Sequence, residues 1–181
     1  MDTGPASIGW LDERVHVVQD EDLLLALLNS APIVDGKQTD DLEGEAGKEL
    51  AQRFGGTGSK AEIAYLRRMR SALHEVVREQ ADPRAALDSL IGGAVLVPEV
   101  TPGGIRWELQ APAVERLAVR AAMAWSDVVK EMPGRLRPCV NTECNLFLID
   151  HSRPGTAKWC SMAACGNRLK ARTHAHRSRE G

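Results

Sequence analysis

A chain of 181 residues has room for one medium domain, or for one domain with a small appendage. Hydrophobic residues make up 43% and charged residues 27% of the chain, the balance of an ordinary globular protein. The longest apolar run, Leu23–Leu28, is too short to span a bilayer and lacks the basic flank of a signal peptide. We therefore expect no membrane association and a cytoplasmic location, where disulfides are rare.

The formal net charge of −2 conceals two oppositely charged parts. Residues 1–134, here called the body, hold 22 acidic and 14 basic side chains. Residues 135–181, here called the cysteine module, hold nine basic and three acidic side chains. An acidic body with a basic module indicates binding to a polyanion. The alternatives are a solubilising tail and a tail that docks on its own acidic body.

The body is predicted to be mainly helical, with one hairpin. Its predicted helices, in chain order, are Asp20–Asn29, Gly47–Phe54, Ser59–Gln80, Pro83–Ile91 and Pro112–Glu131. A loop through Pro32, Gly36 and Asp40–Asp41 follows the first helix. Pro133 and Gly134 end the last helix and mark a domain boundary, so the predicted domains are 1–134 and 135–181.

Two of these elements have the clearest patterns. Ser59, followed by Glu62 three residues later, forms a capping box. The apolar side chains after it fall on one helix face: Ile63, Leu66, Met69, Leu73 and Val76. Val95–Val100 and Ile105–Leu109 flank a Thr-Pro-Gly-Gly turn and predict a β-hairpin. Since Ile105, Trp107 and Leu109 alternate with charged residues, one face of the hairpin is expected to be buried.

All four cysteines lie in the module, as two C-x4-C pairs separated by fifteen residues: Cys139, Cys144, Cys160 and Cys165. Two close pairs joined by a spacer are typical of a tetrahedral Zn²⁺ site, and four thiolates leave no open position for catalysis. A disulfide pair, a redox dithiol and an iron–sulfur cluster are the competitors. A reducing compartment disfavours the disulfide pair. The lack of C-x-x-C disfavours the redox dithiol, and the lack of a tight three-cysteine run disfavours the iron–sulfur cluster.

The module has few large apolar residues, so metal binding is expected to supply the stability that its core cannot. We predict a strand at Leu146–Ile149, a turn at Ser152–Gly155, a second strand ending at Trp159–Cys160, and a closing helix from Met162 to about Arg177. This order resembles a treble clef, although its usual cysteine gaps are two residues. Helical spacing places Met162, Cys165 and Leu169 on the buried face.

The rest of that helix presents polar and basic side chains that suit a DNA groove, because arginine pairs with guanine edges and lysine or arginine neutralises phosphate. The candidate nucleic-acid contacts are Arg153, Lys158, Asn167, Arg168, Lys170, Arg172, His174, Arg177 and Arg179. For Asn167 and Arg168 the alternative is a structural link to the hairpin, through Asp150. For His174, as for His176, the alternative is a solvated tail.

The string Trp159-Cys160-Ser161-Met162, with Cys165-Gly166-Asn167-Arg168, resembles the CGNR zinc-finger family. Upstream, Arg137-Pro138-Cys139 and Asp150-His151-Ser152-Arg153 extend the match, which covers about residues 136–172. The resemblance implies a bacterial, stress-induced transcription regulator whose finger binds DNA and whose ligands are the four cysteines. It also implies an N-terminal ABATE-type domain, which Leu27-Leu28-Asn29-Ser30 and the helix Leu66–Val77 resemble, whereas residues 31–58 depart from it.

We therefore predict a zinc-dependent DNA-binding regulator, whose body senses a ligand or forms a homodimer. The alternative is a zinc-stabilised module that binds protein or RNA. No enzyme is expected, because Asp40, Asp41, Glu43, Glu45 and His74 are interpreted as solvated surface. An effector could lie between the hairpin and the helices against Trp107 and Trp125, but plain core is the favoured interpretation of both tryptophans.

Overall fold

The computed structural model describes residues 11–167, except for the side chains of residues 11–19 and 164. Within this range five α-helices are present: α1 (Leu11–Leu28), α2 (Gly44–Arg53), α3 (Lys60–Val77), α4 (Pro83–Ile91) and α5 (Arg116–Glu131). Six strands form three antiparallel pairs: β1 (Ile33–Val34) with β2 (Lys37–Gln38), β3 (Val95–Thr101) with β4 (Gly104–Gln110), and β5 (Leu136–Pro138) with β6 (Phe147–Ile149). Helices with small sheets agree with the predicted mainly helical α+β class. No described helix has the length and apolar character needed to cross a bilayer.

The core lies where α1, α3 and α5 meet. The last two turns of α1 contain a leucine-rich run whose members are fully buried: Leu23, Leu24, Leu27 and Leu28. The five apolar positions predicted for α3 are all buried, because they recur every three or four residues on one helix face. From α5, Leu117, Ala121 and Val128 complete the core, and Trp125 packs against it.

Caps fix the starts of α3 and α4. Ser59 Oγ accepts a hydrogen bond from the Glu62 backbone N–H at 3.2 Å. Glu62 reaches back beyond the cap, where its Oε2 accepts from the Gly58 N–H at 2.7 Å and from the Thr57 hydroxyl at 2.9 Å. Asp82 Oδ1 accepts from the Ala85 N–H at the start of α4. These side chains satisfy amides that have no partner inside the helix.

The interpretation of Asp40 and His74 as solvated surface is wrong. Asp40 forms ion pairs with Arg70 at 2.7 Å and with Arg67 at 2.8 Å, which attach the loop after α1 to α3. The partly buried His74 donates from Nε2 to the Leu28 carbonyl at 2.7 Å. Burial, opposed by this hydrogen bond and assisted by neighbouring arginines, lowers the pKa of His74 to about 4. Asp40 thus attaches the loop after α1 to α3, and His74 attaches α3 to the end of α1.

The β3–β4 hairpin forms with the predicted strands, but its apolar face is not buried. Apart from each other, neither strand packs extensively against another element among residues 11–167. Ile105 and Trp107 are therefore largely exposed, so the expectation that Trp107 is core is also wrong. Alternation identifies an apolar face but does not identify what covers it.

The predicted strand at 146–149 is present as β6, but its partner is β5 rather than a strand ending at Trp159–Cys160. Leu136 lies opposite Ile149 and Pro138 opposite Phe147. Residues 156–160 form no strand in the structure, and the chain bends at Trp159 and Cys160. The β5–β6 hairpin thus brackets the first cysteine pair, whereas we had expected a hairpin between the two pairs.

Candidate metal centre

Two loops bring the four cysteines together. Cys139 directly follows β5 and Cys144 lies three residues before the start of β6, so the connection between these strands presents the first pair. In the second pair, Cys160 lies in a bend, and Cys165 lies within a single π-helical turn, Met162–Gly166. A hydrogen bond from the Val140 N–H to the Lys158 carbonyl, at 3.0 Å, joins the two cysteine segments.

Backbone hydrogen bonds shape the first loop. The Cys139 N–H donates to the Leu146 carbonyl and the Cys144 N–H donates to the Asn141 carbonyl, both at 2.8 Å. These bonds turn the chain back over four residues, so that both sulfurs point to the same side. The wider C-x4-C gap is accommodated in this way.

The sulfur positions fit a tetrahedral thiolate site. Cys160 Sγ lies 3.7 Å from both Cys144 Sγ and Cys165 Sγ, and all four sulfurs lie within 4.8 Å of one another. A tetrahedron with metal–sulfur bonds of ~2.3 Å has edges of about 3.8 Å, close to these separations. A disulfide needs a sulfur–sulfur distance of about 2 Å. All four cysteines are free. The residues therefore fit one metal ion with four thiolate ligands.

Electrostatics favour a cation at this point. Burial raises the pKa of Cys144 to about 11, and burial, with hydrogen bonding to neighbouring thiols, also raises the pKa of Cys160. For Cys165 burial acts in the same direction, but a hydrogen bond from Asn141, 3.5 Å from its sulfur, and contacts with the other thiols lower the pKa. Four adjacent thiolates repel one another unless a cation lies between them, so metal binding and proton release are coupled.

The π-helical turn explains one wrong prediction. The Gly166 N–H donates to the Ser161 carbonyl, five residues earlier, so the turn is wider than an α-helical turn. The spacing of 100° per residue does not apply there, and Met162 is exposed instead of sharing the buried face with Cys165. The third residue predicted for that face, Leu169, lies outside the described residues, as does the helix beyond Asn167.

Asp150 organises the turn beside the metal centre, with its side chain buried. Its carboxylate accepts from the Ser152 and Ala157 N–H groups, each at 2.9 Å, and from Arg137 Nη2 at 2.5 Å. The hydrogen bonding with Ser152, with these other donors, lowers the pKa of Asp150 to about 2. Arg135 donates to the Asp150 and Ser152 carbonyls. Sequence analysis missed both arginines, although an aspartate two residues before a serine, in a turn, is a recognisable signal.

The predicted nucleic-acid contacts divide into two groups. Arg153, Lys158 and Asn167 are described and exposed. Neither Arg153 nor Lys158 forms an ion pair with a carboxylate in the part of the chain that the structure describes. The other candidates lie outside the described residues: Arg168, Lys170, Arg172, His174, Arg177 and Arg179.

The cysteine module is fastened to the body through Phe147, which is 1% exposed and belongs to the main core. The Asn29 side chain donates to the Phe147 carbonyl at 3.2 Å and accepts from its N–H at 2.7 Å. The Arg78 guanidinium lies 4.3 Å from the Phe147 ring centre, and the His74 ring lies 4.6 Å from it. Asn145, next to Cys144 in the chain, accepts from Arg78 and donates to the Ala31 carbonyl. Sequence analysis found none of these contacts.

Two open grooves mark the body surface. One, of about 470 Å³, lies between α3 and α4 and includes Arg68 and Glu75. The other, of about 590 Å³, lies between α1 and the end of α2 and includes Asn29 and Phe54. Neither groove is lined by Trp107 or Trp125. An effector site against these tryptophans stays a prediction.

Comparison with known protein families finds a match for the cysteine module. Residues 135–179 match the family model described as the CGNR zinc finger. The matched segment contains the whole sulfur cluster and begins directly after the predicted boundary at residue 134. A comparison with curated proteins finds no match for this chain.

Proposed function

We propose that this protein is a zinc-dependent DNA-binding transcription regulator, in which the cysteine module contacts DNA and the body senses a ligand or dimerises. The observation on which this depends is the sulfur cluster, because it gives a fixed shape to the base of a strongly basic segment. The match to the CGNR zinc finger supports the same function. Regulation in response to stress, through an ABATE-type domain, is the finer part of the proposal.

Zinc is the metal that suits four thiolates best, two of them buried and two half-buried. Zn²⁺ is borderline-soft, has no geometric preference of its own and is normally four-coordinate in structural sites, which matches the sulfur separations. Four protein ligands leave no position for water, so the ion would hold the module together without catalysing a reaction. The thiols must stay reduced to bind it, which favours a cytoplasmic location.

The charge of the module supports DNA as the partner. Nine basic side chains against three acidic ones attract phosphate, and the exposed Arg153 and Lys158 are not neutralised by a described carboxylate. The body carries the opposite charge, so the module is the surface that would face DNA. Base-specific contacts would come from arginine and asparagine side chains beyond Cys165, by bidentate hydrogen bonds to purine edges.

Fluorescence anisotropy with selected genomic fragments tests the proposal. The logarithm of the affinity of the zinc-loaded protein should fall linearly with the logarithm of salt concentration, as counterions are released. Lys158→Ala should weaken binding and lower the slope by about one. Lys37→Ala is the matched control, since Lys37 is also exposed but lies in the body. Zinc-loaded protein without salt-dependent DNA affinity would contradict the proposal.

A protein- or RNA-binding module is the second candidate. A single small module buries little DNA surface, usually less than a full specific interface requires. Arg172→Ala and Lys170→Ala separate the candidates when tested against DNA and RNA of matched length. Equal losses on both nucleic acids, or recovery of a protein partner with no DNA site, would favour this second candidate.

A further inference from the structure

The two faces of the β3–β4 hairpin have opposite chemistry. Cross-strand partners in an antiparallel pair share a face, and the register pairs Leu96 with Leu109, Pro98 with Trp107, and Val100 with Ile105. This surface, here called the apolar ribbon face, contains no polar side chain. The charged side chains of the hairpin lie on its other face, where Arg106 and Glu99 form an ion pair at 2.6 Å.

The apolar ribbon face is open to solvent in a single chain. The exposed fractions are 85% for Val100, 68% for Ile105, 61% for Trp107 and 47% for Leu96. With areas of roughly 150–250 Å² for a large side chain, these fractions correspond to on the order of 500 Å² in one contiguous patch. The largest apolar patch of a typical monomer is about that size and usually marks an interaction site.

We propose that the apolar ribbon face is a homodimer interface, in which two hairpins pack face to face about a two-fold axis. Two such patches would bury about 1,000 Å² before any polar rim is counted, the area at which a stable interface becomes credible. The pair Pro98–Trp107 lies midway along the ribbon, so a tryptophan would occupy the centre of the interface, where binding energy concentrates.

Charge favours a second copy over other occupants. Near a two-fold axis each residue approaches its own copy, so a charged side chain there would meet a like charge, and this face has none. A lipid surface would favour lysine and arginine around the apolar patch, whereas the hairpin carries Glu99 and Glu108 against Arg106 alone. The strands also lack extensive packing against the described helices of their own chain, so a partner hairpin can approach them.

A matched pair of valines tests this interface. Val100 lies on the apolar ribbon face and Val95, 57% exposed, lies on the opposite face of the same strand. Sedimentation equilibrium on the zinc-loaded full chain, without DNA, should give twice the 19.7 kDa mass of one chain. Val100→Lys should raise the dimer dissociation constant by more than about 30-fold, and Val95→Lys should change it less than about threefold.

A photoreactive phenylalanine analogue at position 105 identifies the occupant directly. Cross-links between two copies are expected. A chain that stays monomeric at about 100 μM, or cross-links within one chain to residues 1–10, or vesicle binding by the monomer, would overturn the proposal. So would a dimer that Val95→Lys disrupts and Val100→Lys does not. These readouts use no DNA, so the interface and the proposed regulator function can fail separately.

Discussion

Replacing Phe147 with alanine would remove the side chain that joins the cysteine module to the body. The ring is 1% exposed and lies between Arg78 and His74, in the same core as the leucines of α1. Phe147 is three residues beyond Cys144, and its backbone is bonded to Asn29. If the module and the body fold as one cooperative unit, this substitution lowers the stability of the helices as well.

The expected cost is about 4 kcal/mol. Truncating a buried phenylalanine to alanine costs about 3–5 kcal/mol, through lost transfer energy and the cavity left behind. The cation–π contact adds about 0.5–1 kcal/mol, part of which the core value already includes. With a urea m-value of about 2 kcal/mol/M, the denaturation midpoint should fall by about 2 M.

Urea denaturation of the zinc-loaded protein, followed by far-UV circular dichroism, measures this effect on the helices. Val140→Ala is the control, because Val140 is also an apolar residue of the cysteine module but is largely exposed, so its loss should cost less than about 0.5 kcal/mol. If Phe147→Ala leaves the helical transition unmoved, the module folds independently and the reasoning is refuted. The predicted domain boundary at residue 134 is tested by the same comparison.

Three further substitutions have defined outcomes. Asn29→Ala leaves the Phe147 N–H and carbonyl without partners and should cost about 2–3 kcal/mol in the same assay, whereas an unchanged midpoint would mean that water replaces the amide. Elemental analysis should find one zinc per chain in the wild type and less than half in Cys160→Ser, and equal metal content would exclude the four-sulfur site. Because the pKa of His74 is lowered to about 4 in the folded protein, the unfolded state binds more protons than the folded state below about pH 6.5. The free energy of unfolding should therefore fall by about 1–2 kcal/mol between pH 7.5 and 5, after allowance for solvent screening. His74→Gln should remove that part of the pH dependence, and an unchanged slope in this variant would assign it to other groups.

Local patterns in the sequence were sufficient to predict local structure. The capping residue and apolar spacing predicted α3, and Pro83 after Asp82 predicted α4 with its observed bounds. The cysteine spacing predicted the sulfur cluster, because two short loops with a spacer close on one point for simple geometric reasons. In each case the interacting residues either lie close together in the sequence or, like the four cysteines, belong to a residue type with few possible partners in the chain.

Long-range partners could not be predicted in the same way. Asn29 and Phe147 are 118 positions apart, and nothing in either segment specifies the other. The strand pairing of β6 with β5 was missed because Leu136–Pro138 is short and contains a proline, which is unusual in a strand. The apolar face of β4 was recognised from the alternation of apolar and charged residues. The same alternation arises whether the face is covered by its own chain or left exposed to a partner.

The docked position of Phe147 predicts that metal binding and the stability of the body are linked. Asn145 and Phe147 are one and three residues beyond Cys144, and their hydrogen-bond partners lie just after α1 and just after α3. If metal binding orders this loop and the ordered loop stabilises the helices, then a change that reduces the stabilisation of the helices by zinc must weaken zinc binding by the same free energy. Phe147→Ala should therefore lower zinc affinity, which competition with a chromophoric chelator measures. The loss in binding free energy should equal the loss in the stabilisation that zinc gives to the helices. A reduced helical stability with unchanged zinc affinity, and unchanged stabilisation by zinc, would show that Phe147 belongs to the body alone and that the metal is not linked to the helices.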